Sequence, residues 1–157
     1  MKRSEVQATF LSDAQTVWDQ VVDMQDTAWR TDIVRTEPLN EKAFAEYPQK
    51  GSVTKFTIVK KEPCRLYELR LENRHFHGGF RAVWEPTESG GCKVTFTELI
   101  HLLNPGTDLL AHGWDLRRKQ LIYVRDLKRK LGEVPPAPVK ESGCILCRCA
   151  KRLRKKK

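Results

Sequence analysis

Residues 105–132 read PGTDLLAHGWDLRRKQLIYVRDLKRKLG, and this stretch decides the fold. Pro105 and Gly106 break whatever precedes them, and Thr107 or Asp108 can cap the orphan amides of a helix start. Leu110, Trp114, Leu121, Val124 and Leu131 then recur at helical spacing, which predicts one apolar stripe on a helix of about six turns. Arg117, Arg118, Lys119, Arg125, Lys128, Arg129 and Lys130 crowd the remaining surface. Most lie toward the negative end of the helix dipole. Gly132 supplies a stop, with Pro135 and Pro136 behind it. A helix of this length needs a surface to lie on.

The preceding residues provide that surface. Val6, Ala8 and Phe10 alternate with Glu5, Gln7 and Thr9, predicting a half-buried first strand. Ser12 and Gln15 match a capping box, and Val17, Trp18, Val21 and Val22 form the apolar face of a short helix. Residues 23–32 continue as a broken helix or loop. From Ile33 the period falls to two. Strands are expected at residues 33–38 and 42–47, joined through Leu39-Asn40-Glu41, and again at residues 53–61. Glu62-Pro63 is a turn signal. The longest strand runs from Leu66 to His77, with Tyr67, Leu69, Leu71, Asn73, His75 and His77 on one face. Gly78-Gly79 predicts a two-residue hairpin that sets Asn73 opposite Trp84. Ser89-Gly90-Gly91 is the next turn. The last strand follows from Cys92, with Val94, Phe96, Glu98, Ile100 and Leu102 on one face.

Strand, helix, meander and terminal helix make an α+β arrangement, a curved antiparallel sheet of about six to seven strands wrapped around a long C-terminal helix. A helix laid across such a sheet can leave a gap large enough for a ligand. The length of 157 residues is one domain's worth. Residues 1–133 are assigned to it and 134–157 to a Pro-rich linker and basic tail, expected to be disordered. No apolar run reaches the length of a membrane span, and Met1 to Glu5 does not open a signal peptide. A cytoplasmic location, peripheral at the membrane if the tail engages it, is the expectation.

At this point the chain resembles the START-like or SRPBCC superfamily, nearest its polyketide cyclase/dehydrase branch. The resemblance rests on SDAQTVWDQVVDMQDTAW (residues 12–29), on EPTESGGCKVTFTE (residues 85–98), and on Asn104-Pro105 leading into the terminal helix. It covers roughly residues 4–132. It implies a helix-grip fold around a hydrophobic cavity. Members bind lipids, sterols or polyketides, and only some are enzymes.

Within that frame Trp84, Trp114, Phe56 and Tyr67 are candidate cavity walls, since aromatic side chains bury large areas. Asn73, His75 and Glu98 are candidate polar contacts. Alternation that buries Phe96 also turns Glu98 inward, where burial would raise its pKa. Paired with His75, Glu98 is also the candidate catalytic acid or base of a cyclase- or dehydratase-type enzyme. The plainer alternative leaves His75 and His77 in water at a hairpin end and pairs Glu98 with Arg81 or the helix. His75, His77 and His101 do not define a metal site, and no phosphate loop or nucleophile elbow is present. No cofactor is expected.

The net charge of +9 is uneven. Residues 140–157 hold eight basic residues against Glu141 alone, a net +7, which leaves +2 for the remainder. A nucleic-acid-binding domain should carry its own basic face, so nucleic acid is not the expected partner of the folded part. Cys144, Cys147 and Cys149 lie in the tail, three thiols where a closed zinc site needs four ligands. They are therefore weak metal candidates, and the odd cysteine count argues for free thiols. The tail suits an anionic membrane surface, RNA, or simple solvation. Three readings stay open: a binder of a small hydrophobic molecule, the Glu98 enzyme, and a membrane- or RNA-associating module acting through the tail.

Overall fold

A computed structural model describes residues 1–104 and 115–133. The order is β1 (Lys2–Phe10), α1 (Ala14–Val22), β2 (Ile33–Asn40), β3 (Ala43–Pro48), β4 (Thr54–Glu62), β5 (Leu66–Glu72), β6 (Phe76–Pro86), β7 (Cys92–Leu102) and α2 (Leu116–Lys130). All seven strands join one antiparallel sheet in the order β1-β7-β6-β5-β4-β3-β2. The meander from β2 to β7 is local, and only the β1–β7 pairing, Val6 opposite Phe96, closes over a long distance in sequence.

Alternation does what it should in the half-buried strands. Ser4, Val6, Ala8 and Phe10 of β1 face inward, as do Cys92, Val94, Phe96 and Ile100 of β7. Val6, Ala8, Phe10, Cys92, Val94 and Phe96 meet Val17, Trp18 and Val21 of α1 and Val124 and Leu127 of α2 in the main core. A second cluster joins Leu71, Phe76 and Ile100 to Leu116. Both helices thus lie on the concave face. Among the described residues no helix is long and apolar enough to cross a membrane.

The terminal helix departs from its expected form. It begins at Leu116 and covers fifteen residues, about four turns rather than six. Asp115 is extended, with φ −96° and ψ 101°, and its carboxylate accepts from the Arg118 amide at 3.1 Å. An extended cap interrupts any helix continuous from Asp108. Pro105 to Trp114, including Leu110, lie outside the described residues, as do residues 134–157 with Cys144, Cys147 and Cys149. The buried seam is Leu116, Gln120, Val124 and Leu127, while Leu121 is 48% exposed. Gly132, at φ +74°, closes the helix as expected.

Two further corrections concern turns. Gly78-Gly79 is not a hairpin but the interior of β6, paired with Leu71 and Arg70 on one side and Ile100 and Leu99 on the other. A Cβ on Gly78 would stand 2.0 Å from the Leu99 carbonyl oxygen, so this glycine permits close strand approach. The turn lies earlier, at Asn73-Arg74-His75. There the Asn73 Oδ1 accepts from the amides of His75 (2.8 Å) and Phe76 (3.1 Å). An Asn side chain that mimics a backbone turn suffices here without glycine. The α1 cap is Asp13, which accepts from the Thr16 amide at 2.7 Å, instead of Ser12. Ser12 gives its amide and hydroxyl to Glu133 at 2.7 and 3.0 Å.

Candidate functional site

Between the concave sheet and α2 lies a cavity of about 760 Å³. Its apolar wall comes from inward positions of five neighbouring strands: Phe44, Phe56, Leu69, Phe80 and Phe96. Phe44 and Phe56 stack with centroids 5.0 Å apart. The loop before β2 contributes Met24, Thr27 and Trp29, and α2 contributes Lys119, Gln120 and Tyr123.

A polar group occupies part of this apolar lining. Arg30, from the loop before β2, forms a fork with Asp32 (Nε to Oδ1 3.0 Å, Nη2 to Oδ2 2.7 Å). Its Nη1 also donates to Glu46 Oε1. The guanidinium lies 5.1 Å from the centre of the Tyr123 ring. Burial alone would lower the Arg30 pKa, but Glu46 and Asp32 more than reverse that and hold it charged. Tyr123 stands edge-on to both Trp29, at 5.4 Å, and Phe96, at 5.6 Å.

Glu98 projects into the same space because it shares the inward parity of Phe96 and Ile100. Burial pushes its carboxyl up to about 7, opposed by Lys119 and Arg30 and assisted by Glu46 and Asp32. Lys119 is exposed over much of its length, yet partial loss of water around its amine lowers its pKa, with Glu98 opposing. Tyr67 is 2% exposed, and its hydroxyl has no hydrogen-bond partner among the described residues. Burial, aided by Glu46, pushes this phenol up to about 12. A buried hydroxyl without a partner costs stability, so something must offset it or use it. Next to Glu98 across β1, the Ser4 hydroxyl donates to Gln120 Oε1 at 2.6 Å and fixes α2 to the sheet edge.

No family model matches the sequence, and no curated protein matches it. Solved structures do resemble it. An aromatase/cyclase, Zhui from Streptomyces sp. R1128, superposes with a TM-score of 0.68 at 13% identity, over 83% of this chain and 93% of that one. Ara h 8.0201 gives 0.67 at 12% identity, over 85% and 99%. A START superfamily protein from Mycobacterium smegmatis gives 0.64 at 11% identity, over 82% and 93%.

The chain has the START-like helix-grip fold.

In this helix-grip structure Phe56, Tyr67, Asn73, His75 and Glu98 all line the cavity. Asn73 and His75 do so from the β5–β6 turn, not from a strand face. Asn73 also donates from Nδ2 to Thr54 Oγ1 at 3.1 Å, which spends part of its capacity on the fold. Trp84 is a correction. It sits at the far end of β6 against Trp18, ring centres 4.9 Å apart, and fills the core under α1. Trp114 lies outside the described residues. The basic group that acts most on Glu98 is Lys119 of α2, which agrees with the alternative that pairs Glu98 with the helix and not with the histidine reading. Arg81 pairs instead with Glu68 at 3.1 Å on the outer face. His77 and His101 stack on that outer face at 5.3 Å, away from His75. Among the described residues no group of three or more His, Cys, Asp or Glu is placed to hold a metal ion.

Arg30, Asp32, Glu46, Lys119 and Tyr123 were not anticipated as site residues. Arg30 and Asp32 come from a loop whose path no periodicity sets. For Tyr123, the signal was present: it is one residue from Val124, so a helix face read one position over would have included it.

Proposed function

We propose that this protein binds a small, mainly hydrophobic molecule between the sheet and α2, with one polar group directed at Glu98, Lys119 and Tyr67. The observation that carries the reading is the 760 Å³ apolar cavity, far more space than a packed core leaves, into which the Glu98 carboxyl projects and whose wall includes Tyr67, a phenol without a hydrogen-bond partner among the described residues. Helix-grip neighbours described as a START superfamily protein and an aromatase/cyclase are consistent with it. Carboxyl, phenol and amine would orient a ligand hydroxyl or carbonyl, while the aromatic wall would supply most of the affinity. Asn73 and His75 would contact the end of the ligand nearest the β5–β6 turn.

The test is native mass spectrometry of gently purified protein followed by organic extraction. A co-purifying apolar molecule, released on denaturation and displaced by an apolar fluorescent probe, is the expected result. A protein of bare chain mass that also fails to bind such a probe would overturn the reading.

One observation favours a second reading, an acid–base enzyme. A carboxyl held near 7 exchanges protons readily at neutral pH. In that case turnover of a carbonyl-bearing cyclisation or dehydration substrate would follow Glu98 titration and vanish in Glu98→Gln.

A further inference from the structure

One end of the cavity opens between the β3–β4 loop and the β5–β6 turn, and none of the chemistry above uses the charges there. Lys50, Gly51 and Arg74 line the cavity yet are exposed, which makes them its rim, and the half-buried Ser52 and His75 stand beside them. Arg74 is held through its inner nitrogen alone. Its Nε donates to Ser52 Oγ at 3.1 Å and to His75 Nε2 at 2.9 Å. Its two Nη nitrogens meet no acceptor among the described residues, and neither Arg74 nor Lys50 meets a carboxylate among them. The carboxyls that line the cavity lie elsewhere. Asp32 and Glu46 are bound to Arg30, and Asp23 accepts from the amides of Gln25 and Asp26. Glu98 is across from Phe80, four residues along β6 from Phe76 at the turn, which is about 13 Å at the rise of a strand. The wall between is apolar, from Phe56, Leu71, Phe76 and Phe80.

Taking the cavity as the ligand site proposed above, we propose that its ligand is an anionic amphiphile held one way round. Its terminal oxyanion, a carboxylate or a phosphate monoester, is seated at the rim by Arg74 and Lys50, and its apolar body runs inward toward Glu98. A guanidinium anchored through Nε presents both Nη nitrogens as a fork that matches two oxygens of one oxyanion. Lys50 adds a second positive charge without a fixed geometry. A cationic head would meet two like charges at this rim and no carboxylate among the described residues. An anion sent inward would meet Asp32, Glu46 and Glu98 beside Arg30 and Lys119, where charge of both signs is already present. The rim is thus the end of the cavity that selects an anion.

Displacement of Nile red, a neutral apolar dye, from the full-length protein at about pH 8, where carboxylic acids are ionised, tests it. Dodecanoic acid should bind about tenfold more tightly than its methyl ester. Dodecyl phosphate should also outcompete the ester, and the order of the two acids tells which oxyanion the rim prefers. Dodecylamine should bind no better than the ester. Arg74→Gln should bring dodecanoic acid down to about the level of the ester and leave the ester unchanged. Arg74→Lys should recover only part of the loss, since an ammonium lacks the fork. Should the turn fail to fold in the Arg74 variants, Lys50→Gln, which breaks no ion pair among the described residues, should still cost the acid about threefold and the ester nothing. Equal binding of acid and ester would overturn the proposal and leave the cavity reading in place. A preference for the acid that survives both Arg74→Gln and Lys50→Gln would do the same. No binding of dye, acid or ester would overturn the cavity reading and this proposal with it.

Discussion

The carboxylate of Asp126, on α2, accepts two hydrogen bonds from Thr31, from its amide at 2.8 Å and its hydroxyl at 2.7 Å. Thr31 directly follows Arg30, so this contact fixes the loop that delivers the buried guanidinium to the cavity. Burial pushes the Asp126 pKa up, but the hydrogen bonds from Thr31 and Arg125 outweigh it, and the net shift is downward. The contact's stability is therefore present at neutral pH and lost as pH falls through the lowered pKa. Asp126→Ala should cost about 3 kcal/mol in urea unfolding at pH 7, since it removes both charge-assisted hydrogen bonds by which the buried carboxylate holds the exposed Thr31. That deficit should narrow in acid.

Glu98 has the opposite sign. Its folded pKa of about 7 lies above the ordinary 4.5, so the folded state holds the extra proton between those values. Stability should be highest below about pH 4.5 with respect to this group and fall as pH rises through 7. Glu98→Gln should remove that dependence. It should be more stable than the unmodified protein at pH 8, by at most about 3 kcal/mol, and no different near pH 4. Denaturant titrations at the two pH values check it.

Tyr67→Phe deletes a hydroxyl that has no hydrogen-bond partner among the described residues. Thermal unfolding of the purified apo protein should be unchanged, or improved by the equivalent of about 1 kcal/mol. Affinity for a hydroxyl- or carbonyl-bearing ligand should drop about fivefold to tenfold in a displacement assay, as expected for one lost hydrogen bond. A loss of stability would mean that the hydroxyl already has a use inside the protein.

Adjacent glycines should behave differently. Gly78→Ala places a methyl 2.0 Å from the Leu99 carbonyl oxygen, whereas Gly79→Ala finds its nearest atom, the Leu69 oxygen, at 3.7 Å. The first should lose roughly 3 kcal/mol or fail to fold, because the obstacle is backbone of a central strand. Gly79→Ala should stay within about 1 kcal/mol. Paired unfolding curves decide it.

What could be read from the sequence followed what side-chain period can encode. In β1 and β7 one face is buried and one is wet, so Val6, Ala8, Phe10, Phe96 and Glu98 could be assigned directions from alternation alone. Helix α2 was legible as a helix but only partly in phase, since Val124 and Leu131 pack on the core while Leu121 is exposed. Trp114 and Leu121 suggested one stripe, yet the protein buries Gln120 because Ser4 and the Phe96 carbonyl give it partners. Gly78-Gly79 has the composition of a turn, and only the nearby Leu99 carbonyl reveals its other use. The charged part of the cavity was hidden for a related reason. Arg30, Glu46 and Lys119 come from a loop, a strand and a helix, and nothing in their spacing announces that they meet.

The β1–β7 pairing also bears on synthesis. Lys2 lies opposite Ile100 and Phe10 opposite Cys92. Within this sheet, the strand synthesised first therefore waits for the strand synthesised last before it has a neighbour. At about 5–20 residues per second the delay is several seconds. During it Val6, Ala8 and Phe10 are uncovered while the β2–β7 meander can already form. Strand β1 is thus made before the rest of the sheet and placed among the last, and its apolar face is the surface of this fold left open longest during synthesis.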